Sequence, residues 1–368
     1  MSLDKIRVKI NKIDKKVIPL LKKRMDLSVE VAKIKKEENL PIYHPERESQ
    51  ILKKVEADGG EYGSFIKSVY HSLMAESRRL QNDFLAENVS SSDFDYPKEI
   101  KFTRAVCQGT EGSFSHAAAR KMFPELPISF KTTFEEVFNE IEKDETAVGI
   151  LPAENSNAGS VSTVYDLLLT RDLKIVRKIG VGIEQNLLSI GELSDVKTVY
   201  SHPHALKQCK KFLKEYGIKA MEYENTALAA SYVASLNDKS IGAIGSAEAA
   251  ELYGLKISAP SIQDENDNMT RFIAVSKKAY ITPNSNTVSI AVSIPNEKGS
   301  LYAILGRFMD CGLNLSKIES RPVGHDFEYR FYIDFDGNIS DKGVLKLLTE
   351  LKKELAYFVF LGNYVDEF

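Results

Sequence analysis

The chain has no paired cysteines, no apolar run long enough to span a membrane and no surplus of either charge. Its three cysteines, Cys107, Cys209 and Cys311, lie far apart without a Cys-X-X-Cys spacing. That pattern suits a reducing compartment and argues against a structural zinc site. The formal net charge is -3 with both signs mixed, which gives no footing for nucleic acid as a partner. Residues 1–7 lack an apolar signal core, and no stretch approaches a membrane span, so the expectation is a soluble, cytoplasmic protein. Three chemical signatures are missing as well. There is no dinucleotide fingerprint, no Gly-Lys-Ser/Thr phosphate loop and no Gly-X-Ser-X-Gly nucleophile elbow. What is present is 368 residues with 43% hydrophobic content, enough for two or three domains with proper cores.

The first segment is helical. Ile6, Ile10, Ile13, Val17, Leu20, Leu27, Val31 and Ile34 alternate spacings of four and three, with one vacancy filled by Arg24. This is a coiled-coil-like seam on one long helix. Pro19 removes a backbone donor and predicts a bend, but the seam stays in phase across it, so one helix is expected. A cation on the seam is expensive unless it meets an anion. Lys35 lies close to three full turns beyond Arg24, about 16 Å along the axis on nearly the same face, so both cations reach toward one point. Arg7 lies on a different face, and joins the same site only from another chain. Pro45 is placed to start a second helix, Gly59-Gly60 marks a break, and a third helix is expected over 64–85, with Ser77 and Gln81 on one face.

On Arg7, Arg24, Lys35, Arg47, Glu48, Ser77 and Gln81, residues 1–88 resemble the all-helical chorismate mutase family. The resemblance implies a three-helix, intertwined dimer and a pericyclic rearrangement of chorismate to prephenate. Arg7 of the second chain and Arg24 would hold the two carboxylates in the reactive conformer. Lys35 and Gln81 would donate to the ether oxygen as charge builds on it, and Glu48 would accept from the ring hydroxyl. Two departures are His44, where the family often has Asp, and Pro19.

Residues 89–101 form a polar, Ser-rich linker by composition. Beyond them short apolar runs alternate with helical segments, as at 103–107, 147–151, 196–200 and 241–244, which predicts an α/β sheet architecture. Ligands gather at the carboxyl ends of such strands. Polar groups stand there: Gly109-Thr110-Glu111-Gly112-Ser113-Phe114-Ser115-His116, Glu154-Asn155-Ser156 and Ser201-His202-Pro203. The Gly-rich turn before a helix offers free N–H groups to a phosphate or carboxylate. Ser201 and His202 are adjacent on a strand, point to opposite faces and make a poor nucleophile–base pair. Further on, the polar run 263–268 ends at the apolar segment 269–276, with Thr270 at the junction.

These blocks, with Gln208, Thr226-Ala227 and Thr270-Arg271-Phe272, make residues 102–280 resemble prephenate dehydratase. The implied fold has two α/β lobes around a cleft, similar to type 2 periplasmic binding proteins, with the chain crossing twice. The implied reaction removes carbon dioxide and water from prephenate to give phenylpyruvate. Thr270 would donate to the leaving hydroxyl. Asn155, Ser201 and Gln208 would orient the substrate, and Arg271 would anchor a carboxylate or hold the strand. Thr110 stands where the family often has Pro. A threonine is a weak acid, so its donation depends on a dry, closed cleft.

Residues 286–368 read as strand, helix, two strands, helix, strand, a ferredoxin-like unit. They resemble an ACT regulatory domain. Glu319-Ser320-Arg321-Pro322 matches its phenylalanine-binding block, with Gly299-Ser300-Leu301 as the companion block and Asn314 before the second strand. Together the three segments resemble a bifunctional chorismate mutase–prephenate dehydratase with an ACT domain that binds L-phenylalanine. The resemblance implies the substrates chorismate and prephenate, no metal or organic cofactor, and a homodimer or homotetramer with no nucleic-acid or membrane partner. Two other readings compete. An amino-acid or keto-acid binding protein predicts an export signal and leaves Arg24 unexplained. A regulatory protein with degenerate catalytic domains is at odds with near-complete motif blocks.

Overall fold

The computed structural model describes residues 2–38, 40–85, 101–157, 159–265, 268–294, 296, 299–323 and 328–367. The linker expected at 89–101 lies outside the described residues, Lys101 excepted. The chain divides into two compact units, Met1–Asp95 with Val292–Phe358 and Tyr96–Ala291 with Val359–Phe368.

In the first unit, α1 (Leu3–Glu37) is a continuous helix with Pro19 inside it. A proline in a helix interior costs about 3 kcal/mol relative to alanine, yet the helix runs through, as the in-phase pattern predicts. α2 (Pro45–Asp58) starts at its proline, and His44 caps it, Nδ1 accepting from Arg47 N. A short 3-10 turn, Gly60–Tyr62, leads into α3 (Gly63–Leu85). The turn closes tightly because Gly63 has no side chain: a Cβ there would lie 2.2 Å from the Glu56 carbonyl oxygen. α3 packs on both α1 and α2. The face that α1 turns to α3 is not the apolar seam. Ser28 and Ala32 are its buried residues, whereas Ile6, Ile13, Leu20, Leu27 and Ile34 are 41–67% exposed.

The second unit begins with β1 (Arg104–Gln108), α4 (Phe114–Met122), β2 (Ile128–Lys131), α5 (Phe134–Lys143), β3 (Ala147–Asn155), β4 (Gly159–Ser160), α6 (Ser162–Thr170) and β5 (Lys174–Gly182). β1 lies between β2 and β3, parallel to both. A first crossing leads to a second lobe of β6 (Asn186–Ser189), β7 (Thr198–Ser201), α7 (Pro203–Gln208), α8 (Lys210–Glu215), β8 (Lys219–Glu222), α9 (Thr226–Leu236), β9 (Ile241–Gly245), α10 (Ala247–Tyr253) and β10 (Lys256–Ala259). Its sheet order is β10-β6-β9-β7-β8. Neighbouring residues of β6 serve opposite faces, Leu187 packing in one core and Leu188 in the other, so the strand is covered on both sides.

The chain returns as β11 (Met269–Ser276), antiparallel to both β3 and β5 in the first lobe. The two crossings run side by side, Ile183 N donating to Asn268 O and Ile262 N to Gln185 O, each at 2.8 Å. Thr270 is therefore two residues past the hinge.

The last segment comprises β12 (Thr287–Ser293), α11 (Ser300–Asp310), β13 (Leu315–Val323), β14 (Glu328–Asp336), α12 (Lys342–Glu354) and β15 (Phe358–Glu367), in the order expected. β13 and β14 form an antiparallel hairpin, and Phe308 of α11 meets Phe335 of β14 edge-on. Residues of β15 in the second unit extend the first lobe's sheet, parallel to β5 with Val365 opposite Arg177. Lys178 pairs with Asp366 at 2.9 Å, and Arg177 with Glu367. The sheet order there is β15-β5-β11-β3-β1-β2.

Candidate active sites

Arg24 emerges from α1 toward α3. Its Nη1 donates to Ser77 Oγ at 3.0 Å and to the Leu73 carbonyl at 3.5 Å, and its guanidinium lies 6.0 Å from the Tyr70 ring centre. Ser28, one turn on, shares a 2.7 Å hydrogen bond with Ser77. A cation on an apolar seam calls for an anion; among the described residues no carboxylate forms an ion pair with Arg24, and its hydrogen-bond partners are neutral. Gln81 follows Ser77 by one turn, is buried, and its Oε1 has no hydrogen-bond partner. A cation with neutral partners beside an unsatisfied buried amide suits an anionic, hydrogen-bonding ligand.

Lys35 is brought near the same face, its Nζ donating to the Ile42 carbonyl. Burial pushes the Lys35 ammonium below its ordinary value, with Glu48 opposing. Glu48 is gripped by Arg78, which the motif does not include. Arg47 is exposed at the start of α2. Arg7 is exposed and pairs with Asp4 at 3.6 Å; it stands about 25 Å along the helix axis from Arg24. Within one chain, then, Arg24 meets Ser77, with Gln81 one turn further along α3, Lys35 lies near Glu48, and Arg7 joins neither group. Ser28 is the residue missed here, a small polar group one turn from Arg24.

The second constellation stands at the hinge. β3 and β11 run antiparallel with Asn155 opposite Thr270 and Glu154 opposite Arg271. Asn155 Nδ2 donates to Thr270 Oγ1 at 2.9 Å and to Asn268 Oδ1 at 2.7 Å. Thr270 is buried. Its oxygen accepts from an amide, so its own proton is the part left to give, and accepting a bond makes a hydroxyl a better donor. Arg271 pairs with Glu154 at 3.2 Å, an ion pair between β11 and β3.

Gln208 accepts from Gln185 Nε2 at 3.2 Å. Gln185 and Asn268 are almost fully buried, yet Gln185 Oε1 and Asn268 Nδ2 have no partner. Both lie in the crossings, and both were missed. The signal for Asn268 was its place as the last polar residue before an apolar strand. A cavity of about 250 Å³ opens here, lined by Gln208, Asn268, His204, Lys207, Asn157 and Gln263 among others. Ser201 is fully buried, and its hydroxyl donates to the Ile244 carbonyl at 2.7 Å, which ties β7 to β9.

The Gly-rich turn differs from the expectation of free N–H groups. Gly109 N donates to Lys131 O, Ser113 N to Thr110 O, and Gly112 N to His116 Nδ1 at 3.1 Å. Ser113 caps α4 by accepting from His116 N. These three donors are therefore taken within the fold, Gly109 N by the end of β2 and Gly112 N by His116, which folds back on the turn. Burial, with Arg120 nearby, lowers the His116 pKa below its ordinary 6.5, and Glu111 and Glu248 oppose. The neutral ring can accept from Gly112. Gly112 O in turn accepts from Ser246 of the second lobe at 2.9 Å, so this turn bridges the lobes. Gly112 holds φ +81° and a Cβ there would press on Ala249, two reasons for glycine. Thr110 Oγ1 is buried without a partner.

In the last segment, Gly299 (φ 92°) precedes Ser300 and Leu301 at the start of α11. Asn314 donates to Asp336 at 2.9 Å. Glu319, Ser320, Arg321 and Pro322 lie along β13, with Glu319 paired to Lys317 at 3.2 Å and Arg321 3.8 Å from Glu319. Burial pushes the Cys107 and Cys209 thiols up to about 12. Among the described residues no cluster of three or more His, Cys, Asp or Glu is placed to hold a metal. No described helix is long and apolar enough to cross a membrane.

A family model of prephenate dehydratase matches residues 105–280, and one of chorismate mutase type II matches residues 6–82. A bifunctional chorismate mutase/prephenate dehydratase of Aquifex aeolicus is 33% identical over 99% of this chain and 98% of its own length. A prephenate dehydratase of Arthrobacter aurescens, solved in complex with L-Phe, is 29% identical with a TM-score of 0.65, covering 71% of this chain and 89% of that one. A solved chain described as a quorum-quenching acylase has the same identity and TM-score over 72% of this chain and 98% of its own.

Proposed function

Because the chain belongs to the bifunctional chorismate mutase/prephenate dehydratase family, we propose that it carries out two successive steps of phenylalanine biosynthesis under feedback from L-phenylalanine. The first rearranges chorismate to prephenate. The second converts prephenate to phenylpyruvate, carbon dioxide and water.

For the rearrangement, Arg24 holds a substrate carboxylate, with Ser77 and Ser28 fixing its direction. Lys35 and Gln81 donate to the ether oxygen, where negative charge builds as the carbon–oxygen bond breaks. Glu48 accepts from the ring hydroxyl. The neutral partners that Arg24 has among the described residues support this reading. Arg7 completes the site from a second chain, so the active form is at least a homodimer. The exposed apolar seam of α1 supports this, since burying one Leu or Ile contributes roughly 1.5–3 kcal/mol.

For the dehydration, the electrons of the bond to the departing carboxylate enter the ring and expel the ring hydroxyl, which needs a proton as it leaves. The observation that carries this step is the Asn155–Thr270 pair. Asn155 polarises the Thr270 hydroxyl, and Thr270 donates to the leaving oxygen. Gln208, Gln185 and Asn268 orient the substrate from the hinge, and the unsatisfied amide atoms of Gln185 and Asn268 support that role. Ser201 shapes the cleft wall from beneath. An acylase reading is not favoured: Ser201 bonds to a main-chain carbonyl and Thr270 to an amide, and neither bonds to an imidazole base.

The strand–helix–strand–strand–helix–strand order of the last segment supports an ACT domain. L-Phenylalanine binds at Gly299, Ser300, Leu301, Asn314 and Glu319–Pro322. Supplied with chorismate, the purified protein is expected to produce phenylpyruvate. Accumulation of prephenate without phenylpyruvate would refute the second half of the reading.

A further inference from the structure

Glu48 faces two cations. Lys35 lies close enough to feel its charge, but the contact goes to Arg78 of α3, whose Nη1 reaches both carboxylate oxygens at 2.6 and 2.5 Å. The other end of that guanidinium, Nη2, lies 3.6 Å from Asp310 Oδ2 on α11. The Tyr43 ring stacks beneath it, 5.3 Å from its centre. Arg78, Glu48 and Asp310 side chains are 16%, 21% and 7% exposed, so water competes weakly for them. A planar cation held by two carboxylates and an aromatic face has few other orientations to adopt. This is also the wall of a cavity of about 780 Å³ between α2, α3, α11 and α12.

We propose that Arg78 is a positioning residue for Glu48, and that Asp310 fixes Arg78, so that the C-terminal segment completes the mutase site. The inference rests on the role given to Glu48 above. Its logic is competition. A free Glu48 carboxylate would pair with the Lys35 ammonium and take from the ether oxygen the donor it needs. Arg78 engages both Glu48 oxygens and leaves Lys35 to the substrate. Asp310 holds Arg78 from the far side, and without it the guanidinium can swing toward the cavity. Besides Arg78, the charged groups facing Asp310 are Glu76 of α3 and Arg307 of α11. Burial and Glu76 raise the Asp310 carboxyl, while Arg78 and Arg307 hold it down.

The test uses the full chain, with mutase kinetics on chorismate and dehydration of supplied prephenate as the check on folding. Arg78→Met is expected to lower mutase kcat/KM by about tenfold to a hundredfold, the range of a charge-assisted hydrogen bond. Arg78→Lys, a cation without the fork, should recover part of that. Asp310→Asn, nearly isosteric, should lower kcat/KM by about threefold or more on the same scale, with prephenate dehydration unchanged. In a Glu48→Gln background neither substitution should have a further effect, because each acts through Glu48. Two results overturn the proposal: wild-type mutase kinetics in Asp310→Asn, or losses that multiply undiminished in the Glu48→Gln background. If Glu48→Gln alone leaves the mutase intact, the role of Glu48 is wrong and the proposal falls with it.

Discussion

Replacing Thr270 by valine separates chemistry from scaffold. Valine has the shape of threonine without the hydroxyl, so the buried site stays filled. The structural loss is one hydrogen bond. Asn155 Nδ2 gives up Thr270 Oγ1 at 2.9 Å but keeps Asn268 Oδ1 at 2.7 Å and can lean on the Met269 carbonyl at 3.3 Å. One such bond contributes about 1 kcal/mol net, a shift of roughly 2–4 °C in Tm for a unit of this size. The catalytic loss is larger. Removing a proton donor from the departing hydroxyl costs about 10² to 10⁴ in kcat, or about 3–5 kcal/mol of barrier. Thr270→Ser keeps the oxygen and is expected within about tenfold of wild type, since that sheds a methyl group and not the donor. The assay follows phenylpyruvate from supplied prephenate, with thermal unfolding and chorismate consumption measured on the same samples. A Thr270→Val enzyme that turns over within tenfold of wild type would remove Thr270 from the proton transfer.

Leu20→Glu places a charge on the α1 seam, where Leu20 is 67% exposed in one chain; if the seam joins two chains, sedimentation should show monomers and mutase activity should collapse, whereas an unchanged dimeric mass refutes the seam as the interface and a monomeric wild type refutes the dimer. The His116 pKa is lowered by burial, so the folded state binds fewer protons than the unfolded one just below pH 6.5. That contribution is fully present above pH 6.5 and lost as pH falls through the folded value. Urea midpoints should accordingly drop more steeply with acid for wild type than for His116→Gln, and parallel curves would exclude His116 as the titrating group. L-Phenylalanine should lower phenylpyruvate formation; binding that leaves the rate unchanged would contradict feedback control.

The strands at 103–107, 147–151, 196–200 and 241–244 were legible because the lobe cores are built from short apolar runs, which became β1, β3, β7 and β9. The continuity of α1 across Pro19 was legible too, in the phase of its pattern. Which face of α1 meets α3 was not. An apolar stripe records that something covers it, without distinguishing the same chain from another, and here Ser28 and Ala32 make the intrachain contact. The Thr270–Asn155 pair was anticipated as two separate strand ends, and their hydrogen bond depends on a register that no local pattern encodes. Gln185, Asn268 and Arg78 escaped notice for a related reason: each is polar, ordinary in its own stretch, and given meaning by partners distant in sequence. The Gly-rich turn shows the reverse, a motif whose donors look free until the fold brings His116 back onto Gly112.

The placement of β15 has a consequence for how the protein is made. The strand beside β5 lies far along the chain, and the Arg177–Glu367 pair spans 190 residues. The first lobe therefore cannot finish its sheet until residues 365–367 have been made and released from the ribosome. Until then β5 presents an open edge, the kind of surface on which partly folded chains aggregate. Nascent chains stalled before residue 358 should consequently depend on chaperones far more than the released protein, with β5 as the strand to be shielded.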